Sequence, residues 1–289
     1  MKTRIIRSVL VFSSALLLTA SLAAQAPKVD FPAASPSSTL KQRVGLTDIE
    51  IDYSRPGLKG RVVVGKIDPY GKVWRTGANS ATRISFSTPV KLQGSKVDAG
   101  TYELFTIPGA DEWTVILQKA GKQWGAYQYN SANDVLRVTA KPVALKNPVE
   151  TFTIDINDIR DESATLNLSW ADWQVPVKLD VDVVSALVPQ IEAVMASDAA
   201  KKPYAQAAMF YLDHNLDLAK AAGCMDAAIA EQPGAFYLIY RKALVLEKMG
   251  DKAGAIAAAK ASLALAAKDT SPAKDEYTRL DEALIARLQ

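Results

Sequence analysis

The residues of this chain best suited to chemistry are arginines set among aromatics and turn formers. Tyr53-Ser54-Arg55-Pro56-Gly57-Leu58-Lys59-Gly60-Arg61 is followed by Trp74-Arg75-Thr76-Gly77-Ala78-Asn79, with Arg83 shortly after. A guanidinium is a planar fork of donors that holds carboxylate or phosphate through two hydrogen bonds and also stacks on aromatic rings. With Tyr53, Tyr70 and Trp74 interleaved, the pattern predicts a cleft for an anion or a sugar, in which Arg55, Arg61, Arg75 and Asn79 make polar contacts and Trp74 provides a stacking surface. The same residues also suit a purely architectural role, with arginines pairing to Asp48, Asp52, Asp68 or Asp98 and aromatics closing one end of a β domain.

Other chemistries find less support. His214 is the single histidine, so most acid–base and nucleophilic designs lack their usual base. Its setting, Tyr211-Leu212-Asp213-His214-Asn215-Leu216, reads as helix packing or surface. Cys224 has no histidine placed near it in sequence to suggest a dyad and reads as a small buried hydrophobe. The acidic run Asp155, Asn157, Asp158, Asp161 and Glu162 offers oxygens for a hard cation, but it lacks the glycine of a calcium loop, and Ile159 fills a ligand slot. Gly57, Gly60, Gly65, Gly71 and Gly77 lack the strand-to-helix setting of a phosphate loop. No catalytic residue, metal ligand or cofactor is assigned.

The elements that must position the arginines fall into two grammars that change near Asp182. All five tryptophans, Trp74, Trp113, Trp124, Trp170 and Trp173, precede that point, and alanine dominates after it. Residues 40–182 show short alternating runs, such as Ile49 to Tyr53, Thr82 to Phe86, Thr101 to Phe105, Trp113 to Leu117, Phe152 to Ile156, Thr165 to Trp170 and Val175 to Val181, which predict an antiparallel β-sandwich or barrel. Pro108 to Glu112 predicts a hairpin turn. Residues 27–39, rich in Pro, Ser and Ala, form an extended lead-in. From 183 to 289 the period is helical, and Ala221, Met225 and Ala228 recur as Ala255, Ala259 and Ser262. A spacing near 34 is that of tetratricopeptide helix pairs, although the Trp and Leu-Gly positions of that pattern are missing. Ser271 before Pro272 suggests the cap of a last helix.

Residues 1–26 have the layout of a cleaved secretory signal: Lys2, Arg4 and Arg7, an apolar run from Val9 to Leu18, then small residues. That run is too short to span a bilayer, which takes roughly 20 residues. Cleavage would remove three of the 34 Lys and Arg, leaving 31 against 31 Asp and Glu. A neutral mature chain argues against nucleic acid as a partner. A lone cysteine excludes an internal disulfide.

Several strings together resemble the bacterial family called domain of unknown function 2911. They are Tyr53-Ser54-Arg55-Pro56, Lys59-Gly60-Arg61, Trp74 through Thr82, Ala99-Gly100-Thr101-Tyr102, Leu104 through Pro108 and Asp111-Glu112-Trp113-Thr114, within about residues 35–181. The resemblance implies an exported protein with a helical, tetratricopeptide-like tail and carries no activity, cofactor or catalytic residue. The expectation is a periplasmic or cell-envelope binding protein, not an enzyme. Its β domain would take a small anionic, glycan or peptide ligand, and its tail a protein partner. A carboxylate- or metal-dependent hydrolase and a ligand-free scaffold are the alternatives.

Overall fold

The computed structural model describes residues 29–63 and 65–289; the expected signal segment lies outside them. Among the described residues ten strands are followed by six α-helices. Strands β1 (Ser37–Val44), β2 (Thr47–Ser54), β3 (Thr82–Phe86), β6 (Gly100–Ile107), β7 (Trp113–Lys119) and β8 (Asp134–Ala140) form one sheet in the order β1-β2-β3-β6-β7-β8. The second sheet runs β5-β4-β10-β9, from β4 (Val90–Leu92), β5 (Ser95–Val97), β9 (Val143–Asn157) and β10 (Ser163–Val181). Every pairing is antiparallel. The two sheets share one core, as expected of a sandwich.

Alternation explains which face of each strand is buried. In β2, Thr47, Ile49, Ile51 and Tyr53 point inward, and Asp48, Glu50, Asp52 and Ser54 point outward. Between the sheets lies an aromatic cluster: Trp74 stacks on Trp170 at 5.7 Å and 12°, and meets Trp113 and Phe152 edge-on at 6.3 and 5.1 Å. Each such ring removes 150–250 Å² from water. The runs Thr165 to Trp170 and Val175 to Val181, which read as two strands, are one: β10 continues through register shifts on either side of Ala171, whose φ is +52°. The hairpin predicted at Pro108 to Glu112 joins β6 to β7.

Period-two alternation fails in β6 and β7. Residues Tyr102 to Thr106 and Val115 to Gln118 are buried on both faces. The connection from β7 to β8 folds back over the outside of the sheet. It buries Ala81, Phe105 and Ile116 beneath Ala126 and Tyr129 as a second, smaller core.

The helices are α1 (Val184–Ala196), α2 (Tyr204–Asp213), α3 (Leu218–Glu231), α4 (Phe236–Met249), α5 (Lys252–Ala266) and α6 (Ala273–Leu288). The residues recurring at 34, namely Ala221, Met225, Ala228, Ala255, Ala259 and Ser262, are all buried in α3 and α5. All but Met225 are Ala or Ser, whose small side chains let neighbouring helices approach closely. Ser271 does not cap α6, whose N-cap is Pro272 without a side-chain bond. Among the described residues no helix is long and apolar enough to cross a membrane.

Candidate functional site

The Trp-Arg-Thr-Gly-Ala-Asn string forms a turn buttressed at nearly every position. Trp74 pairs its backbone with Thr106, at 2.7 and 2.9 Å, and its Nε1 donates to the Gly77 carbonyl at 3.1 Å. The buried Thr76 carbonyl accepts from Thr82 Oγ1. Gly77, at φ +150°, leaves no room for a side chain, because a Cβ would sit 2.9 Å from the Ser54 carbonyl oxygen. Asn79 adopts φ +59° and donates through Nδ2 to Ser35 O and Ser54 Oγ, both at 3.2 Å.

The five expected site residues divide. Trp74, expected to stack on a ligand, is 6% exposed and stacks on Trp170 instead. Removal of its large apolar surface from water, worth roughly 25 cal/mol per Å², dominates its placement. Arg55 donates Nε to Phe152 O at 3.0 Å and Nη2 to Thr153 Oγ1 at 2.7 Å, tying the end of β2 to β9. Arg61 donates to Leu58 O and Gly57 O at 2.9 and 2.7 Å, closing its own turn. Asn79 is committed as described above. Arg75 differs: its backbone carbonyl accepts from Thr82 N at 3.2 Å, but its side chain has no hydrogen-bond or salt-bridge partner among the described residues, and its Nε is buried.

Arg83 shares this condition, with a buried and unpartnered Nε. It lies in a polar row across all six strands of the sheet, Thr39, Asp52, Arg83, Glu103, Gln118 and Asp134, each paired in register with the next. The carboxylates on either side of Arg83 are engaged elsewhere. Asp52 accepts from Thr39 Oγ1 at 2.6 Å. Glu103, 1% exposed, accepts from Gln123 N and Nε2 at 2.9 and 2.7 Å. Arg83 is therefore flanked by acids yet forms no ion pair with either.

Glu103 and Gln118 anchor the segment that passes over the sheet. Gln118 Nε2 donates to Asn130 O and Asp134 Oδ1 at 2.7 and 2.8 Å. Tyr129, donating its hydroxyl to Asp134, has its phenol pushed above the ordinary value by burial and by that carboxylate. The segment then pairs with the turn after Asn79: Ala81 N donates to Gln123 O at 3.1 Å, Gly125 N donates to Asn79 O at 2.9 Å, and Ser80 lies opposite Trp124. This places Lys122 beside Arg83 in a groove of about 360 Å³ that Thr39, Asp52, Ser54 and Ser80 also line. Next to the groove Trp124 stands 62% exposed, the sole exposed tryptophan among the described residues, and Tyr127 is 85% exposed. Gly125, at φ +72°, is hemmed in by both neighbours: a Cβ there would lie 2.6 Å from the Tyr127 ring and 3.0 Å from Arg75 Nη1.

The exposed aromatic rings on this side of the sheet are therefore Trp124 and Tyr127, not Trp74. Their signal in the sequence was three aromatics around one glycine in Trp124-Gly125-Ala126-Tyr127-Gln128-Tyr129, with no alternation to bury them. Asp68, near Arg75 and Arg61, has its carboxyl raised from 3.8 to about 6 by burial, against the pull of those two arginines.

The remaining candidates are placed as follows. In the acidic run, Asp155 accepts from Asn157 and Asn167, and Glu162 accepts from the backbone of Val183 and Val184 at the start of α1. Among the described residues no group of three His, Cys, Asp or Glu is placed to hold a metal ion. His214 packs on Phe210 at 4.2 Å. Cys224 is half-buried, and that burial raises its thiol above the ordinary value.

A family model described as "Protein of unknown function (DUF2911)" matches residues 35–179, half of the chain. No curated protein and no solved structure matches.

Proposed function

The chain belongs to that family, whose description assigns no function, and we propose that it is an exported binding protein, not an enzyme, whose β domain takes a small anionic ligand in the groove beside Trp124. The observation that carries this reading is Arg83, which lines the groove with a buried Nε that has no partner among the described residues; Arg75, whose Nε is likewise buried and unpartnered, lies beside Gly125, the residue after the exposed Trp124. A buried donor without an acceptor costs roughly 1–3 kcal/mol, more when charged, so a fold keeps one where something else supplies the acceptor. Export is supported by the basic, apolar and small-residue layout of residues 1–26.

The helical tail is proposed to bind a protein partner. Support comes from an open groove of about 600 Å³ lined by Met195, Tyr204, Tyr211 and Cys224, among others. The test of the β-domain reading is a thermal-shift screen of the full chain against organic acids and phosphates, since a ligand that binds the native state raises the melting temperature. A rise that Arg83→Ala abolishes is the expected result. A rise that survives both Arg83→Ala and Arg75→Ala would place the ligand elsewhere.

A further inference from the structure

We infer that the ligand of this groove is a carboxylated saccharide, an inference that rests on the groove being a ligand site at all. The charge balance selects the anion. Arg83 and Lys122 bring two positive charges to the groove, set against Asp52 in its lining and Glu103 buried beside Arg83, so there is no excess of positive charge to meet a dianion. A phosphomonoester carries about two negative charges at neutral pH and would face Asp52 uncompensated. A carboxylate carries one, and its planar geometry matches the guanidinium fork.

The rest of the lining suits hydroxyl groups. Asp52 uses Oδ1 to accept from Thr39, which leaves Oδ2 to accept from a ligand hydroxyl. Ser54 Oγ accepts from Asn79 Nδ2, so its own proton is free to donate. Ser80 lines the same groove. A small carboxylic acid would leave these three groups unused, whereas a sugar ring engages donors and acceptors together.

The aromatic contribution points the same way. Because Ser80 and Trp124 are directly opposed bridge partners, their side chains rise on one side of the pair. The bare Trp124 ring therefore stands beside the hydroxyl-lined floor, where the apolar C–H face of a pyranose can lie against it while its carboxylate reaches Arg83. At about 360 Å³ the groove lies within the roughly 300–1,000 Å³ of small-ligand sites.

The experiment is calorimetric titration of the full chain with a tetragalacturonate, a neutral maltotetraose, inorganic phosphate and acetate, with acrylamide quenching of tryptophan fluorescence read in parallel. Because the other four tryptophans are buried, quenching reports Trp124. The acidic tetrasaccharide is expected to bind at least tenfold more tightly than the other three and to cut quenching severalfold. Trp124→Ala should weaken it about tenfold at an unchanged melting temperature. If phosphate or acetate binds as tightly as the tetrasaccharide while Trp124 stays quenchable, the groove is an anion site and the saccharide assignment is overturned. If none of the four binds, both the assignment and the reading beneath it are overturned.

Discussion

The segment from Arg55 to Arg61 and the segment from Arg75 to Arg83 carry the same residue types and follow one another in sequence, yet their arginines are bonded differently. In the first, both guanidiniums are committed, to Phe152, Thr153, Gly57 and Leu58. In the second, neither has a partner among the described residues. Residue type and spacing do not tell which guanidiniums are committed within the fold; hydrogen-bond saturation does, and on the proposed reading it marks the arginines left for a ligand. The helical tail adds a third case. Asp281 on α6 is 0% exposed, and both of its carboxylate oxygens are unpartnered. Ser262 faces it, but the Ser262 hydroxyl donates to Phe236 O at 2.9 Å. An orphaned charge beside a groove can await a ligand, whereas one sealed in a core only costs stability.

The comparison is broken most forcefully at Trp74. Trp74→Ala should cost about 3–5 kcal/mol of stability, the range for emptying a large aromatic from a core, and chemical denaturation measures it. A loss below about 1 kcal/mol, with ligand binding gone, would restore Trp74 as the stacking surface. Next in size is Asp281, whose carboxyl is raised from 3.8 to about 6, chiefly by burial. Because the folded value lies above the unfolded one, the contribution of this carboxyl is fully present below about pH 4 and is lost as pH rises through 6. Asp281→Asn should flatten this dependence and gain up to about 3 kcal/mol at pH 7, by the conversion of about 1.4 kcal/mol per unit. Melting curves from pH 4 to 8 decide it, and a variant as pH-dependent as the parent would refute it.

A smaller effect sharpens the site itself. Asp68 releases its proton near pH 6 beside Arg75 and Arg61. Above that pH the carboxylate competes with an incoming anion for Arg75. Affinity for an anionic ligand should therefore rise severalfold as pH falls from 7 to 5, and Asp68→Asn should remove the rise. Titration calorimetry at the two pH values tests this.

Much of the plan was legible in the sequence, because alternation and helical period are local properties. The change of grammar near Asp182, the turn at Pro108 to Glu112 and the recurrence from Ala221 to Ala255 each depend on residues close in the chain. What was hidden depends on register. Nothing in the sequence says that Asp52, Arg83 and Glu103 stand side by side, since 20 or more residues separate each from the next. Ala171 and Asp172 resemble a break, yet a register shift carries β10 through them. Trp74 was misjudged because it neighbours Arg75. Successive side chains point to opposite sides of extended backbone, so adjacency in sequence argued against adjacency in a site. The overlying aromatics were missed because the backbone of residues 120–133 is fixed by Glu103 and Gln118 on other strands.

The most direct test sets Arg83→Ala beside Arg55→Ala, measuring melting temperature and binding of the acidic tetrasaccharide for each. Arg55→Ala should lose about 1–3 kcal/mol of stability, as its acceptors are left unpaired, and retain the ligand. Arg83→Ala should leave the fold at least as stable, gaining up to about 1–3 kcal/mol as a buried unpaired donor is removed, and bind at least tenfold more weakly. If Arg83→Ala destabilises the fold as Arg55→Ala does and leaves binding untouched, hydrogen-bond saturation does not mark the site and the account is wrong.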